Sequence, residues 1–339
     1  MTCLVGLAAN PDSGKDIRRV AAGASVFDNQ EKRAVLARCL AGIAAADANP
    51  SVLYLDDLRA IAHSAVATAG VAGTPVAGPR YGNAQDTVHA AAAMREASCG
   101  AVISLGGDGT NRALAKGWLD APLVPISTGT NNVFPGMQEG SIAGAAAALV
   151  ASGTVALRDV APQVKVIHVE VEDEDDDIAL IDAVATDDRF VGARALLSGD
   201  RLIAAVLTRA IPAAVGITSI AGLLQPMSDE DDGGLTVEFT ARGKPAQWQV
   251  RAPIAPGRFD DIAIADAHRI DFNEAVEIVG PCVLAFDGER ERVMKAGQRA
   301  KLTVRRDGPR VIDIKSTLEV AARDGAMIYP TAEGVRHAG

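Results

Sequence analysis

The sequence predicts an α/β domain built on a parallel sheet, followed by an all-β domain. Two observations carry this. Strand-like and helix-like stretches alternate along the first part of the chain, the pattern of a parallel sheet with helices on both faces. After Thr154 the pattern changes to a series of short strands. At 339 residues there is room for about two domains of roughly 150 residues each. The expected division is 1–155 and 156–316, with the tail 317–339 apolar enough to pack back on the first domain.

The elements follow in order. Thr2–Ala9 is a strand. Asp28 and Glu31 have capping-box spacing, and Val35, Leu36, Cys39, Leu40 and Ile43 then share one helical face. Ser51–Leu55 is a second strand, Asp56–Ala69 a helix and Thr74–Ala77 a short third strand. Helix Ala84–Ala97 leads into strand Ala101–Leu105. Strand Leu123–Ile126 and helix Ser141–Ser152 complete the first half. In the second half Val164–Val171, Leu235–Thr240, Trp248–Arg251, Cys282–Phe286, Ala300–Arg305 and Val311–Ile314 read as strands. A slip in alternation between Val166 and Ile167 predicts a bulge. One helical stretch, about Gly192–Ala210, interrupts the series. The acidic runs Glu172–Asp177 and Asp229–Asp232 read as solvated loops.

Composition narrows the function classes. Aromatic residues are only 4% against 48% hydrophobic, so the core must be mostly Ala, Val, Leu and Ile. A net charge of −10 excludes broad nucleic-acid binding and disfavours docking on anionic lipid. No signal peptide and no apolar run of membrane length stands out, so stable membrane insertion is not expected. Cys3, Cys39, Cys99 and Cys282 are scattered, which fits a reduced cytoplasmic protein. The histidines are dispersed and offer no zinc-site spacing.

The most informative stretch is Gly106-Gly107-Asp108-Gly109-Thr110, between a buried strand and a helix. Glycines let the backbone approach a ligand, and a helix N-terminus offers free N–H groups to phosphate. A carboxylate in such a loop can hold a metal ion or take a proton from a hydroxyl, so the loop suits phosphate transfer. Neighbouring motifs are excluded. Gly14-Lys15 lacks the frame of a P-loop, and Arg112 stands where a dinucleotide fingerprint needs its third glycine. Two further polar loops end strands on the same sheet edge: Asn10–Lys15 and Ser127–Asn132. Ligands in such folds sit beyond the carboxyl ends of the strands. Asp287-Gly288-Glu289 follows a strand too, although Asp-Gly is equally the preferred pair for a hairpin turn. Asp307-Gly308 shows the same dipeptide with no evident chemical role.

Together these motifs resemble the superfamily of NAD kinases and diacylglycerol-type lipid kinases. Gly106–Thr110 matches its G-G-D-G-T signature, Asn10–Gly14 its N-P-x-S-G opening, Gly129-Thr130-Asn131 its G-T-x-N loop and Asp287–Glu289 its D-G-E. Asn10–Arg19, Ser127–Pro135 and Ile181–Leu197 are most similar to the ATP-NAD kinase-like protein X family of acetoin catabolism.

The resemblance implies a Rossmann-like first domain, a β-sandwich second domain and an active site between them. It implies ATP and Mg²⁺, with nucleotide contacts from Asn10, Ser13, Lys15, Gly106, Gly107, Gly109, Thr110, Gly129, Thr130 and Asn131. Asp108 is the expected catalytic base and Glu289 its rival, with Mg²⁺ expected on Asp108 and Asp287. The acceptor is expected at Asp182 and Asn132, with NAD as the best single choice and a homo-oligomer as the assembly. Two departures bear on the acceptor: Asn132 replaces the Asp usual in lipid kinases, and Ile181 replaces the Asn that precedes the acidic residue in NAD kinases. A lipid kinase, another small-hydroxyl kinase and a catalytically weak nucleotide-binding regulator are the alternatives. The loops around Asp182 show no cluster of large apolar residues for a lipid chain.

Overall fold

The structure is a computed structural model that describes residues 3–14, 27–47, 49–129, 131–187, 199–241 and 243–328. The first sheet contains β1 (Leu4–Ala9), β2 (Ser51–Tyr54), β3 (Ala72–Pro75), β4 (Ala101–Gly106) and β5 (Pro122–Ser127). All of its pairings are parallel. Strands β1, β4 and β5 are buried nearly throughout, as expected of a sheet covered on both faces. The helices are α1 (Asn29–Ala46), α2 (Ile61–Ala69), α3 (Ala84–Glu96), α4 (Asp108–Gly117) and α5 (Gly140–Ala151).

Local chemistry sets the helix ends. Asp28 accepts the Glu31 N–H at 2.8 Å and caps α1. α2 starts at Ile61 rather than Asp56, because the Asp57 carboxylate accepts the N–H groups of Arg59, Ile61 and Ala62. The low aromatic content is answered by close helix packing. Side chains at Gly42 and Gly144 would run into the backbone of Ser141 and Cys39, so α1 and α5 cross with almost nothing between them.

The second half contains β6 (Val166–Val171), β7 (Asp177–Ala179), β8 (Asp182–Thr186), β9 (Leu202–Leu207), α6 (Ile217–Leu224) and β10 (Gly234–Phe239). It continues with β11 (Trp248–Ala255), β12 (Arg258–Ile270), β13 (Ala275–Val279), β14 (Cys282–Phe286), β15 (Glu289–Met294) and β16 (Arg299–Arg305). These form two antiparallel sheets, ordered β11-β12-β10-β9-β8-β14-β15 and β13-β16-β6-β7. One apolar core lies between the sheets, around Val169, Leu284, Phe286 and Leu302. Another lies between the larger sheet and α6, around Leu207, Ile220, Leu235 and Ile264. The chain then returns to the first sheet through β17 (Arg310–Val311), parallel to β5, and α7 (Ile314–Arg323). Ile312, Ile314 and Ala321 join the core of the first domain.

Several expectations are corrected. The helix expected over about Gly192–Ala210 is strand at Leu202–Leu207, paired with β8 and β10; residues 188–198 lie outside the described residues. Val166 and Ile167 are not a bulge, since their pairing with β16 is continuous. Val166 faces the core shared with the first domain and Ile167 faces the sandwich, so both are buried. The Val311–Ile314 strand ends at Val311, and it belongs to the first sheet. The acidic runs are not simply solvated. Asp177 is buried against Arg112 and Lys116, while Lys165 and Arg306 hold the backbone of Ser228–Asp231. Among the described residues no helix is long and apolar enough to cross a membrane.

Candidate active site

Strand order β17-β5-β4-β1-β2-β3 reverses direction between β1 and β4. At such a switch point the loops diverge and leave a crevice beyond the strand ends. Here the crevice is a cleft of about 880 Å³, lined by Asn10–Gly14, Gly107–Thr110, Asn131–Val133, Ile181-Asp182 and Asp287–Glu289.

The first loop is shaped from within. Asn10 Oδ1 accepts the N–H groups of Asp12 and Ser13, and its Nδ2 donates to Thr110 Oγ1 at 2.9 Å. Lys32, fully buried on α1, donates to the carbonyls of Asn10, Pro11 and Ser13 at 2.9, 2.9 and 2.7 Å. Sequence reasoning passed over Lys32. Its signal was a charge lying one turn before Val35 and Leu36 on the apolar face.

The glycine loop enters α4 between close neighbours. A Cβ on Gly107 would lie 2.9 Å from Asn132 Oδ1, and one on Gly109 would lie 3.0 Å from Glu289 Oε1. Asp108 accepts the N–H groups of Val133 and Phe134, the latter at 2.8 Å. Burial, opposed by the Phe134 N–H and helped by nearby Asp287, pushes its carboxyl up to about 7. A carboxyl near neutrality can take a proton from a hydroxyl and release it again.

Opposite lies the crossover from β7 to β8, where the chain passes from one sheet to the other. The N–H groups of Leu180, Ile181 and Asp182 all find their acceptor in Asp287, at 3.0, 2.7 and 3.3 Å. Thr208 Oγ1 donates to the Leu180 carbonyl at 2.7 Å. Asp287 thus holds the backbone that presents Asp182. Asp182 is buried, and its Oδ1 has no hydrogen-bond partner among the described residues. Burial first, then Asp287 and Asp108, raise its carboxyl well above the usual range.

The cleft brings Asn10, Ser13, Gly107, Asp108, Gly109, Thr110, Asn131, Asn132, Asp182, Asp287 and Glu289 together. Gly106 and Gly129 lie behind this lining, and Lys15 and Thr130 lie outside the described residues. No group of three or more His, Cys, Asp or Glu side chains could hold a metal ion among the described residues. Asp287 spends its carboxylate on the crossover and Asp108 accepts the Val133 and Phe134 N–H groups, so the partly exposed Glu289 is the better placed of the three for a phosphate-bound cation.

An apolar wall of Leu202, Val215, Ile217, Ile220 and Ile254 lines the same cleft, contrary to the sequence expectation. Leu202 comes from β9, Ile217 and Ile220 from α6, Val215 from the loop before it and Ile254 from β11, all distant in sequence from Asp182.

Residues 5–155 match the ATP-NAD kinase N-terminal domain, and residues 165–307 match the acetoin catabolism protein X C-terminal domain. Acetoin catabolism protein X of Cupriavidus necator is 33% identical over 338 residues, spanning 96% of this chain and 94% of its own length. Yeast NADH kinase, solved in complex with NADH, superimposes with a TM-score of 0.51 at 12% identity. That match covers 95% of this chain and 86% of the yeast chain, and the likeness is one of fold.

Proposed function

Because the chain belongs to the acetoin catabolism protein X family, whose first half here is an ATP-NAD kinase domain, we propose that the cleft transfers the γ-phosphoryl group of ATP to a hydroxyl, with NAD(H) as acceptor. The observation that carries this reading is the meeting of the glycine loop, with Asp108 near neutrality, and the Asp182 carboxyl that has an unpartnered oxygen. The N–H groups at the start of α4 receive phosphate. Asp108 takes the acceptor's hydroxyl proton as the new O–P bond forms and the bond to the leaving ADP breaks. Asp182 addresses the acceptor. Glu289 would hold a Mg²⁺ brought by the nucleotide, and when bound that ion would supply neutralisation of phosphate charge. The apolar wall supports one second reading, a lipid-like alcohol as acceptor.

The test is phosphoryl transfer from ATP with Mg²⁺ to NAD, NADH, lipid and polyol acceptors. Asp108→Asn should lower turnover by about 10² to 10⁴. Near-normal turnover in that variant removes Asp108 from the reaction. ATP binding without NAD(H) binding up to millimolar concentration removes NAD(H) as acceptor.

A further inference from the structure

Arg112 follows Gly109 by three residues, so it lies one turn further along the same face of α4. Its side chain is only 7% exposed. Each part of the guanidinium is used. Nε donates to the Ile178 carbonyl at 2.6 Å, Nη1 to Glu291 at 3.0 Å and Nη2 to Asp177 at 2.8 Å. Its Cζ lies over the Phe286 ring, 4.9 Å from the ring centre.

These partners share a location. Phe286 immediately precedes Asp287. Glu291 follows Glu289 by two residues on β15. Ile178 precedes by two the Leu180 N–H that Asp287 accepts. One buried side chain from the glycine-loop helix therefore grips the strand before the Asp287-Gly288-Glu289 turn, the strand after it and the backbone underneath. On the other side of the same joint, Glu289 lies against Gly109.

Lys116 makes an informative contrast. It reaches the same Asp177, at 2.9 Å, but from a side chain that is 32% exposed. Arg292 reaches Asp177 as well, at 3.3 Å. Asp177 therefore keeps two cations when Arg112 is replaced, and the buried carboxylate is not left uncompensated.

We propose that Arg112 is a positioning residue that fixes the Asp287-Gly288-Glu289 turn against the glycine loop, so that Glu289 is set over Gly109 for phosphoryl transfer. The proposal rests on the kinase reading of the cleft. It requires arginine specifically, since a planar fork with a stacking face is what the three acceptors and the ring engage, and lysine offers neither.

The test compares Arg112→Met, Arg112→Lys and Lys116→Met, each checked for cooperative unfolding. Arg112→Met should lower kcat by about 10²-fold, the scale of a misplaced reacting group. KM for ATP should stay within about twofold, since the phosphate loops keep their own contacts. Arg112→Lys should not restore the rate, and Lys116→Met should be close to wild type. Arg112→Met combined with Glu289→Gln should be no slower than Glu289→Gln alone.

Rescue by lysine, a loss confined to KM, or fully additive rates would overturn the assignment. If the wild-type chain transfers no phosphate to any acceptor, the kinase reading fails separately, and amide hydrogen exchange decides the lock. Faster exchange at Leu180 and Ile181 in Arg112→Met, with β1 unchanged, sustains it; unchanged exchange there overturns it.

Discussion

Asp287-Gly288 and Asp307-Gly308 are the same dipeptide, the first directly after β14 and the second separated from β16 by one residue. At Asp287 and Gly288 both φ angles are positive, 50° and 80°, as a tight hairpin turn between β14 and β15 requires. The Asp287 side chain turns inward onto the unpaired N–H groups of the β7–β8 crossover. Asp307 turns outward, its side chain 41% exposed and 2.9 Å from His168 Nε2. Neither Asp307 nor Gly308 has a positive φ, so the same dipeptide takes a different backbone path at each place, and its carboxylate faces different partners. A turn becomes part of a site when it lies against backbone that has no other partner.

The comparison can be broken most decisively by truncation. Asp287→Ala leaves three buried N–H groups without an acceptor, at about 1–3 kcal/mol for each unsatisfied group. A loss of at least about 3 kcal/mol in urea unfolding is expected. Asp307→Ala removes one half-exposed pair and should cost under about 1 kcal/mol. Equal losses would mean that the crossover draws no support from Asp287.

Thr208→Val sharpens the same contrast at smaller scale. It removes the hydroxyl that donates to the Leu180 carbonyl at 2.7 Å, for about 1 kcal/mol. Full stability in this variant would place the whole burden of the crossover on Asp287.

The smallest expected effect is a difference in the sign of pH dependence. Burial raises the Asp287 carboxyl above 3.8, against the pull of Arg112. In that window the native state binds more protons than the unfolded chain, so stability falls as pH rises. The Asp307 carboxyl lies below 3.8: burial opposes this, but the hydrogen bond from His168 prevails. There the unfolded chain binds more protons, so stability falls as pH falls. Urea midpoints of Asp287→Asn and Asp307→Asn, measured against wild type on either side of pH 4, should therefore diverge in opposite directions. Parallel curves would contradict the two environments.

Much of the first domain was legible because each of its signals is local. Strand, capping aspartate and amphipathic face follow one another within short windows, as in Asp28 with Val35 to Ile43. The glycine loop and Asn10–Gly14 were legible as site loops for the same reason, since both end strands of one sheet. The second domain was harder. Leu202–Leu207 reads as helical because it does not alternate polar and apolar, yet it lies inside a sheet buried on both faces, with Val206 toward one core and Ala205 and Leu207 toward the other. The 13-residue β12 alternates weakly because much of it is half exposed. The apolar wall and the role of Asp287 join residues dozens of positions apart, and no window of sequence contains both partners.

The return of the chain to the first sheet has a mechanical consequence. The outgoing segment and the returning one lie side by side. The Val164 N–H donates to the Pro309 carbonyl, the Gly308 N–H to Val164, the Val311 N–H to Pro162 and the Asp313 N–H to Val160. The chain thus leaves the first domain and returns to it through two adjacent, hydrogen-bonded segments. Tension applied between β1 and α7 would run through the first domain alone, shearing β17 along β5, while the second domain stays off the load path. The Arg112 contacts with Asp177, Ile178 and Glu291 join the two domains at a further place. Two such links resist twisting where a single one would swivel, so the walls of the cleft keep their alignment.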